Sequence, residues 1–356
     1  PVFCGAATTG GYRHTFTIGQ GVVAGDDLVT NDGRTYPETG SAVAVDADGD
    51  HVVVWTASDN RVYFRMYDSQ GNPVDLPGDV RVPVTDAAFV GQQRYATVAM
   101  DKDGDFIVTW TNDRDYSDSR GRPVYYHPTD GSFISYETAQ DEFYYTQTNA
   151  LVSDLPTGTT PADLERVVDS DIYARRFRSD GLALGDAFRV NGVESLEFEA
   201  YTQKWSQVAA DYDGEFVITW SSETPNQTYD VHARRYSSRI ERDDTGAIVP
   251  PRALGAQFLV NTTTTGNQML SDVAVSASGD FVITWSSATS TLGSRSIIAR
   301  VFGNHGKPET AEIPVAFGGN DYPSVAMDLR GSVFVVTWTN TTGVDSSGYG
   351  VYAEAF

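Results

Sequence analysis

One strand–turn–strand phrase occurs five times in this chain, and internal repetition of that kind constrains a fold more than any other feature of sequence. The copies read VAVDADGDHVVVW at 43–55, VAMDKDGDFIVTW at 98–110, VAADYDGEFVITW at 208–220, VAVSASGDFVITW at 273–285 and VAMDLRGSVFVVTW at 325–338. The turns are Asp48-Gly49, Asp103-Gly104, Asp213-Gly214, Ser278-Gly279 and Arg330-Gly331, with glycine supplying the positive φ of a tight hairpin. The fifth copy carries one extra residue, which the pattern assigns to a bulge. A third strand follows each pair, as VYFRMY (62–67), IYARRF (172–177), VHARRY (231–236), IIARVF (297–302) and VYAEAF (351–356). A fourth recurs as VRV (80–82), FRVN (188–191), FLVN (258–261) and IPV (313–315), and its missing copy stands ahead of the first repeat as LVTN (28–31). That offset predicts an all-β chain, a five-bladed β-propeller of four-stranded antiparallel blades. The N-terminal strand closes the ring, so no sheet edge stays open.

Residues 1–24 then form an N-terminal arm, and 25–356 a single propeller domain interrupted by an insertion at 111–170. That insertion lacks the VAxD and VxW patterns and splits one blade between its second and third strands, which argues against a sixth blade. Ala44, Ala99, Ala209, Ala274 and Ala326 recur in the innermost strand, where a narrow axis leaves room only for small residues. Trp55, Trp110, Trp220, Trp285 and Trp338 end the second strands, where they are expected to pack between blades, with ligand stacking as the alternative.

Net charge is −23 and the pI is near 4.4. Such a balance excludes nucleic acid, whose phosphates call for Lys and Arg patches, and disfavours anionic membrane surfaces. No apolar run reaches the roughly 18 residues that span a bilayer. Cys4 is the only cysteine, which excludes an internal disulfide framework and a thiolate zinc site. The composition fits a soluble protein in a salty or calcium-containing exterior.

The phrases GDFVITW, IYARRF and FRVN resemble the tandem repeats of large secreted and surface proteins of bacteria, over roughly 28–110 and 171–356. The ring count is similar to that of tachylectin-type lectins and of five-bladed glycoside hydrolases. These resemblances imply an extracellular, cell-surface or periplasmic module of bacteria and little about its chemistry, since fold does not imply function.

Two kinds of chemistry are open. The acidic turns (Asp46, Asp48, Asp50; Asp101, Asp103, Asp105; Asp211, Asp213 and Glu215) could gather calcium, although their glycine comes too early for an EF-hand loop. The competing reading is that each aspartate bonds its own turn backbone. Glycoside hydrolysis needs two facing carboxylates, and the acids outside the repeat (Glu194, Glu197, Glu199, Asp141, Glu142) show no evident pairing. His51 and His232 stand at aromatic positions of strands and read as packing residues.

Strand alternation places the insertion on the face where propellers most often bind ligands. It is rich in tyrosine (Tyr116, Tyr125, Tyr126, Tyr136, Tyr144, Tyr145), a residue enriched at interfaces, and holds a short helix near 160–166. The reading that follows is a non-enzymatic module mediating protein–protein assembly or self-assembly through those tyrosines. The alternative is a lectin-like, carbohydrate-binding propeller, and a glycosidase comes third.

Overall fold

A computed structural model describes residues 39–74, 81–86, 89–115, 120–129, 133–146, 148–164, 168–192, 202–289, 294–341 and 349–356. Five antiparallel sheets succeed one another along the chain. The first comprises β1 (Thr39–Val45), β2 (His51–Thr56), β3 (Val62–Tyr67) and β4 (Val82–Pro83). The second begins with β5 (Gln92–Met100) and β6 (Phe106–Asp115). It resumes, after a small sheet of β7 (Val124–Tyr126), β8 (Phe133–Glu137) and β9 (Glu142–Tyr145), with β10 (Val168–Phe177) and β11 (Phe188–Arg189). The third holds β12 (Gln203–Ala210), β13 (Phe216–Glu223), β14 (Tyr229–Tyr236) and β15 (Phe258–Leu259). The fourth holds β16 (Asn267–Val275), β17 (Phe281–Ala288), β18 (Ser296–Phe302) and β19 (Ile313–Ala316). The fifth has three described strands, β20 (Asn320–Met327), β21 (Phe334–Asn340) and β22 (Gly350–Ala355). The chain is therefore all-β, and the first strands of successive sheets lie against one another. LVTN and the N-terminal arm lie outside the described residues.

The alternation of each first strand sorts its side chains between two neighbouring sheets. Val98 faces back into a core with Val52, Val54 and Phe64 of the first sheet. Ala99 faces forward, into a core with Val208, Phe216 and Trp220 of the third. The alanine column therefore packs against the next sheet rather than around an axis, because the first strands are where neighbouring sheets come closest. Trp110, Trp220 and Trp285 are fully buried and Trp55 nearly so. Trp55, Trp110, Trp220 and Trp338 stack on Tyr63, Tyr173, His232 and Tyr352, their partners on the third strand. Buried indoles of this kind have no face left for a ligand.

Local hydrogen bonds explain the repeat's polar residues. Asp46 Oδ1 accepts from the N–H groups of Asp48, Gly49 and Asp50, closing its own turn. Asn191 and Asn261 each accept from a third-strand N–H (Ile172, Val231) and donate to an adjacent aspartate (Asp171, Asp230). Such bonds satisfy buried backbone where the fourth strand is only two residues long. The extra residue of the fifth copy widens the turn, with Asp328 N–H bonding Val333 O, and no bulge forms there. The helix expected near 160–166 is a single 3-10 turn, Pro161–Asp163. Asp163 accepts there from the N–H and hydroxyl of Thr160.

Candidate functional site

Every first strand breaks register with its hairpin partner near its start. The breaks fall between Thr39 and Ala42, Arg94 and Thr97, Lys204 and Gln207, Met269 and Asp272, and Asp321 and Ser324. At each break one residue takes a left-handed backbone: Gly40 (φ 59°), Tyr95 (55°), Trp205 (56°), Leu270 (56°) and Tyr322 (52°). All five stand three residues before the valine that opens the repeat. Bulges of this kind re-aim a side chain out of the pleat. A bulky L-residue at positive φ costs on the order of 1–3 kcal/mol and persists only where its surroundings impose it.

The re-aimed side chains converge. Gly40, Tyr95, Trp205, Leu270 and Tyr322 border one open cavity of about 420 Å³, together with Ser41, Ala42, Ala96, Thr97, Ser206, Gln207, Ser271 and Pro323. All five sheets contribute to it. Tyr95 is 45% exposed and Tyr322 64% exposed, and the ring of Trp205 lies edge-on to Tyr95 at 6.4 Å and tilted against Tyr229 at 5.6 Å. Among the described residues the wall is uncharged, and it mixes aromatic and aliphatic side chains with Ser41, Thr97, Ser206, Gln207 and Ser271. Ser206 and Ser271 are buried and bonded to Thr109 and Thr219 of the preceding sheets, which fixes their positions. Just past the rim, Asp272 accepts from Ser324 Oγ (2.8 Å) and from Val325 N–H (2.9 Å), joining the fourth sheet to the fifth. Burial pushes its carboxyl up from the usual range.

The tyrosines of the insertion do something different. Tyr125 is buried with Ile134, Phe143 and Val152 in a core of the insertion's own, and Tyr136 and Tyr145 pack on that core. Tyr136 donates to Asp141, Tyr144 to Glu142 and Tyr145 to Asp154. The Arg122 guanidinium lies over the Tyr144 ring. Tyr126 lies in β7, and Tyr116 falls outside the described residues, as do Glu194, Glu197, Glu199 and Tyr201. Asp141 and Glu142, weighed as catalytic acids, are thus tied to tyrosine hydroxyls.

The acidic turns are spread over separate hairpins. Asp101 Oδ1 accepts from the N–H groups of Asp103 and Asp105, and Asp211 Oδ1 from those of Asp213 and Glu215. Burial raises the carboxyls of Asp101 and Asp211. Lys102 bridges Asp103 to Asp213 of the next sheet, at 3.0 Å each. Among the described residues no three His, Cys, Asp or Glu side chains are grouped to hold a metal ion, Asp46, Asp48 and Asp50 included. Among them, too, no helix is long and apolar enough to cross a membrane.

No protein-family model matches the sequence, and no curated protein is significantly similar to it. Solved structures are similar in architecture. The endo-arabinase of Bacteroides thetaiotaomicron aligns over 89% of this chain and 93% of its own, at 12% identity and a TM-score of 0.38. An α-L-arabinofuranosidase from Lactobacillus brevis aligns over 90% and 91%, at 10% identity and a TM-score of 0.39. An α-L-arabinanase of Penicillium chrysogenum, complexed with arabinobiose, aligns over 89% and 82%, at 11% identity and a TM-score of 0.42. Likeness at this level bears on the fold alone. The expected assembly module is corrected on its contact surface: of the tyrosines assigned to it, Tyr125, Tyr136 and Tyr145 pack in the insertion's own core and Tyr144 is held by Glu142 and Arg122.

The sequence reading passed over Tyr95, Trp205, Leu270 and Tyr322. One signal was available: the chain has six tryptophans for five repeats, and Trp205 is the one outside the column.

Proposed function

We propose that the chain is a carbohydrate-binding five-bladed propeller, closed by its N-terminal strand, with its ligand seat in the aromatic mouth shared by the five first strands. The carrying observation is that three aromatic residues, Tyr95, Trp205 and Tyr322, hold costly left-handed backbones at equivalent bulges and border the same cavity. Strain gathered at one place is a pointer to function. A sugar ring presents an apolar C–H face, which packs on an aromatic side chain, and hydroxyls, which seek polar groups such as Ser41, Thr97 and Gln207.

The cavity favours binding over hydrolysis. Hydrolysis by the usual mechanism takes two carboxylates roughly 5–10 Å apart, and no carboxylate borders this cavity among the described residues. Asp272 is close by but is held by Ser324 and Val325.

The test is a glycan array followed by calorimetry on the best ligand. Trp205→Ala is expected to weaken binding at least tenfold, about 1.4 kcal/mol, and the ligand is expected to change Trp205 fluorescence. A chain that binds no glycan, or whose affinity survives Trp205→Ala, overturns the reading. Turnover of the bound glycan that disappears in Asp272→Asn would show an enzyme instead.

A further inference from the structure

Among the described residues the rim is incomplete at one place. Four of its five equivalent positions carry large side chains, and the fifth is Gly40. Sterics do not demand glycine there, since a Cβ built on Gly40 meets nothing within 4 Å. Nor does the backbone, since Tyr95, Trp205, Leu270 and Tyr322 hold nearly the same φ with a side chain in place. The residues after it, Ser41 and Ala42, are also small, so the first sheet contributes a low wall to the cavity. The first strands lie side by side in the order β1, β5, β12, β16, β20, so the second sheet stands between Gly40 and Trp205 and the notch does not adjoin the indole.

We infer that Gly40 is an exit notch, and that the mouth takes an extended neutral oligosaccharide chain with one unit on Trp205 and the rest running out over the first sheet. This rests on the carbohydrate reading above and specifies its ligand. A rim closed on all sides suits a single terminal sugar held end-on, and a rim open on one side lets a chain continue. Neutrality follows from the wall, where among the described residues no Asp, Glu, Lys or Arg borders the cavity. A uronic or sialic acid carboxylate would find no cation there, and would meet the repulsion of a chain whose net charge is −23.

The experiment compares di- and hexasaccharides of arabinan, xylan and cellulose on the wild-type chain, Gly40→Tyr and Gly40→Ala. Wild type should bind the hexasaccharide of its preferred series at least tenfold more tightly than the disaccharide. Gly40→Tyr copies the residue found at two equivalent positions and should bring the hexasaccharide down to disaccharide affinity, leaving the disaccharide within about twofold. Gly40→Ala imposes the same backbone strain without filling the notch, and should keep the preference for length. Equal wild-type affinity for both lengths, or a Gly40→Tyr chain that keeps the preference, overturns the notch while leaving the carbohydrate site standing. Binding of none of the probes, with none found on the array, removes the site and the notch together.

Discussion

Tyr322 is the residue at which strain and exposure separate most cleanly. It is 64% exposed, so its side chain contributes little packing, yet its backbone sits at φ 52°. Substituting glycine removes the steric conflict between Cβ and the backbone, on the order of 1 kcal/mol. Tyr322→Gly is therefore expected to raise the melting temperature, or leave it unchanged, while weakening glycan binding. A structural tyrosine would behave the other way, losing stability with binding unaffected, and thermal unfolding beside calorimetry tells the two apart. Gly214 shows the converse constraint. Its φ is 83°, and a Cβ there would come within 2.6 Å of Asp101 Oδ2 on the preceding sheet. Gly214→Ala should destabilise by more than about 1 kcal/mol, as read by chemical denaturation, because both backbone strain and that inter-sheet contact work against it.

At the scale of elements, the strands and hairpins were legible because they obey a period of two and a glycine turn, both local signals. The bulges were not. Nothing about Tyr95 or Leu270 as residue types announces positive φ, and the conformation goes with the register breaks between the first strands and their hairpin partners. The inward packing of Tyr125, Tyr136 and Tyr145 was not legible for a related reason, since composition cannot tell an inward from an outward face when the period is broken. The tryptophan column adds a graded case. Trp220 and Trp285 donate to Gln203 and Gln268, at 2.9 and 3.1 Å, whereas Gln93, the equivalent residue of the second sheet, bonds Val62 N–H and Thr85 instead. Trp110 Nε1 is left without a partner. Gln203→Ala would give Trp220 the same defect, and is expected to cost about 1–3 kcal/mol in denaturant titration. The turns make a pH prediction. Asn72 holds the Asp68 carboxyl below its usual range, Thr245 that of Asp243, and the Val333 N–H that of Asp328. A depressed carboxyl contributes stability above its unfolded pKa of about 3.9, and that stability is lost as pH falls through the lower folded value. Replacing all three with Asn should flatten the fall of melting temperature between about pH 5 and 2. Asp101, Asp211 and Asp272, raised by burial, act in the opposite sense, stabilising more when protonated.

For the whole molecule the open question is closure. Val98, Val208, Val273 and Val325 are buried against the sheet before them, but Val43, their counterpart in the first sheet, is 58% exposed. On the other side, Val335 and Val351 of the fifth sheet are exposed, Val351 at 80%. Among the described residues, two apolar faces of this kind, beside a sheet with three described strands where its fellows have four, leave the edge of β22 unpaired, and such an edge invites association. The repeat offset in the sequence supplies the matching piece, since LVTN at 28–31 aligns with FRVN and FLVN. In those copies the asparagine accepts from a third-strand N–H, and Asn31 would do the same for β22. The proposed closure therefore predicts that removing residues 1–34 exposes both faces for good. Such a chain should melt lower than the full one and self-associate as its concentration rises, because a second copy's edge is then the nearest substitute for the missing strand. Light scattering across a dilution series reads this directly. A truncated chain that stays monomeric with an unchanged melting temperature would mean that 28–31 closes nothing, and that the mouth bordered by Gly40 and Tyr322 is held together by the contacts between successive first strands alone.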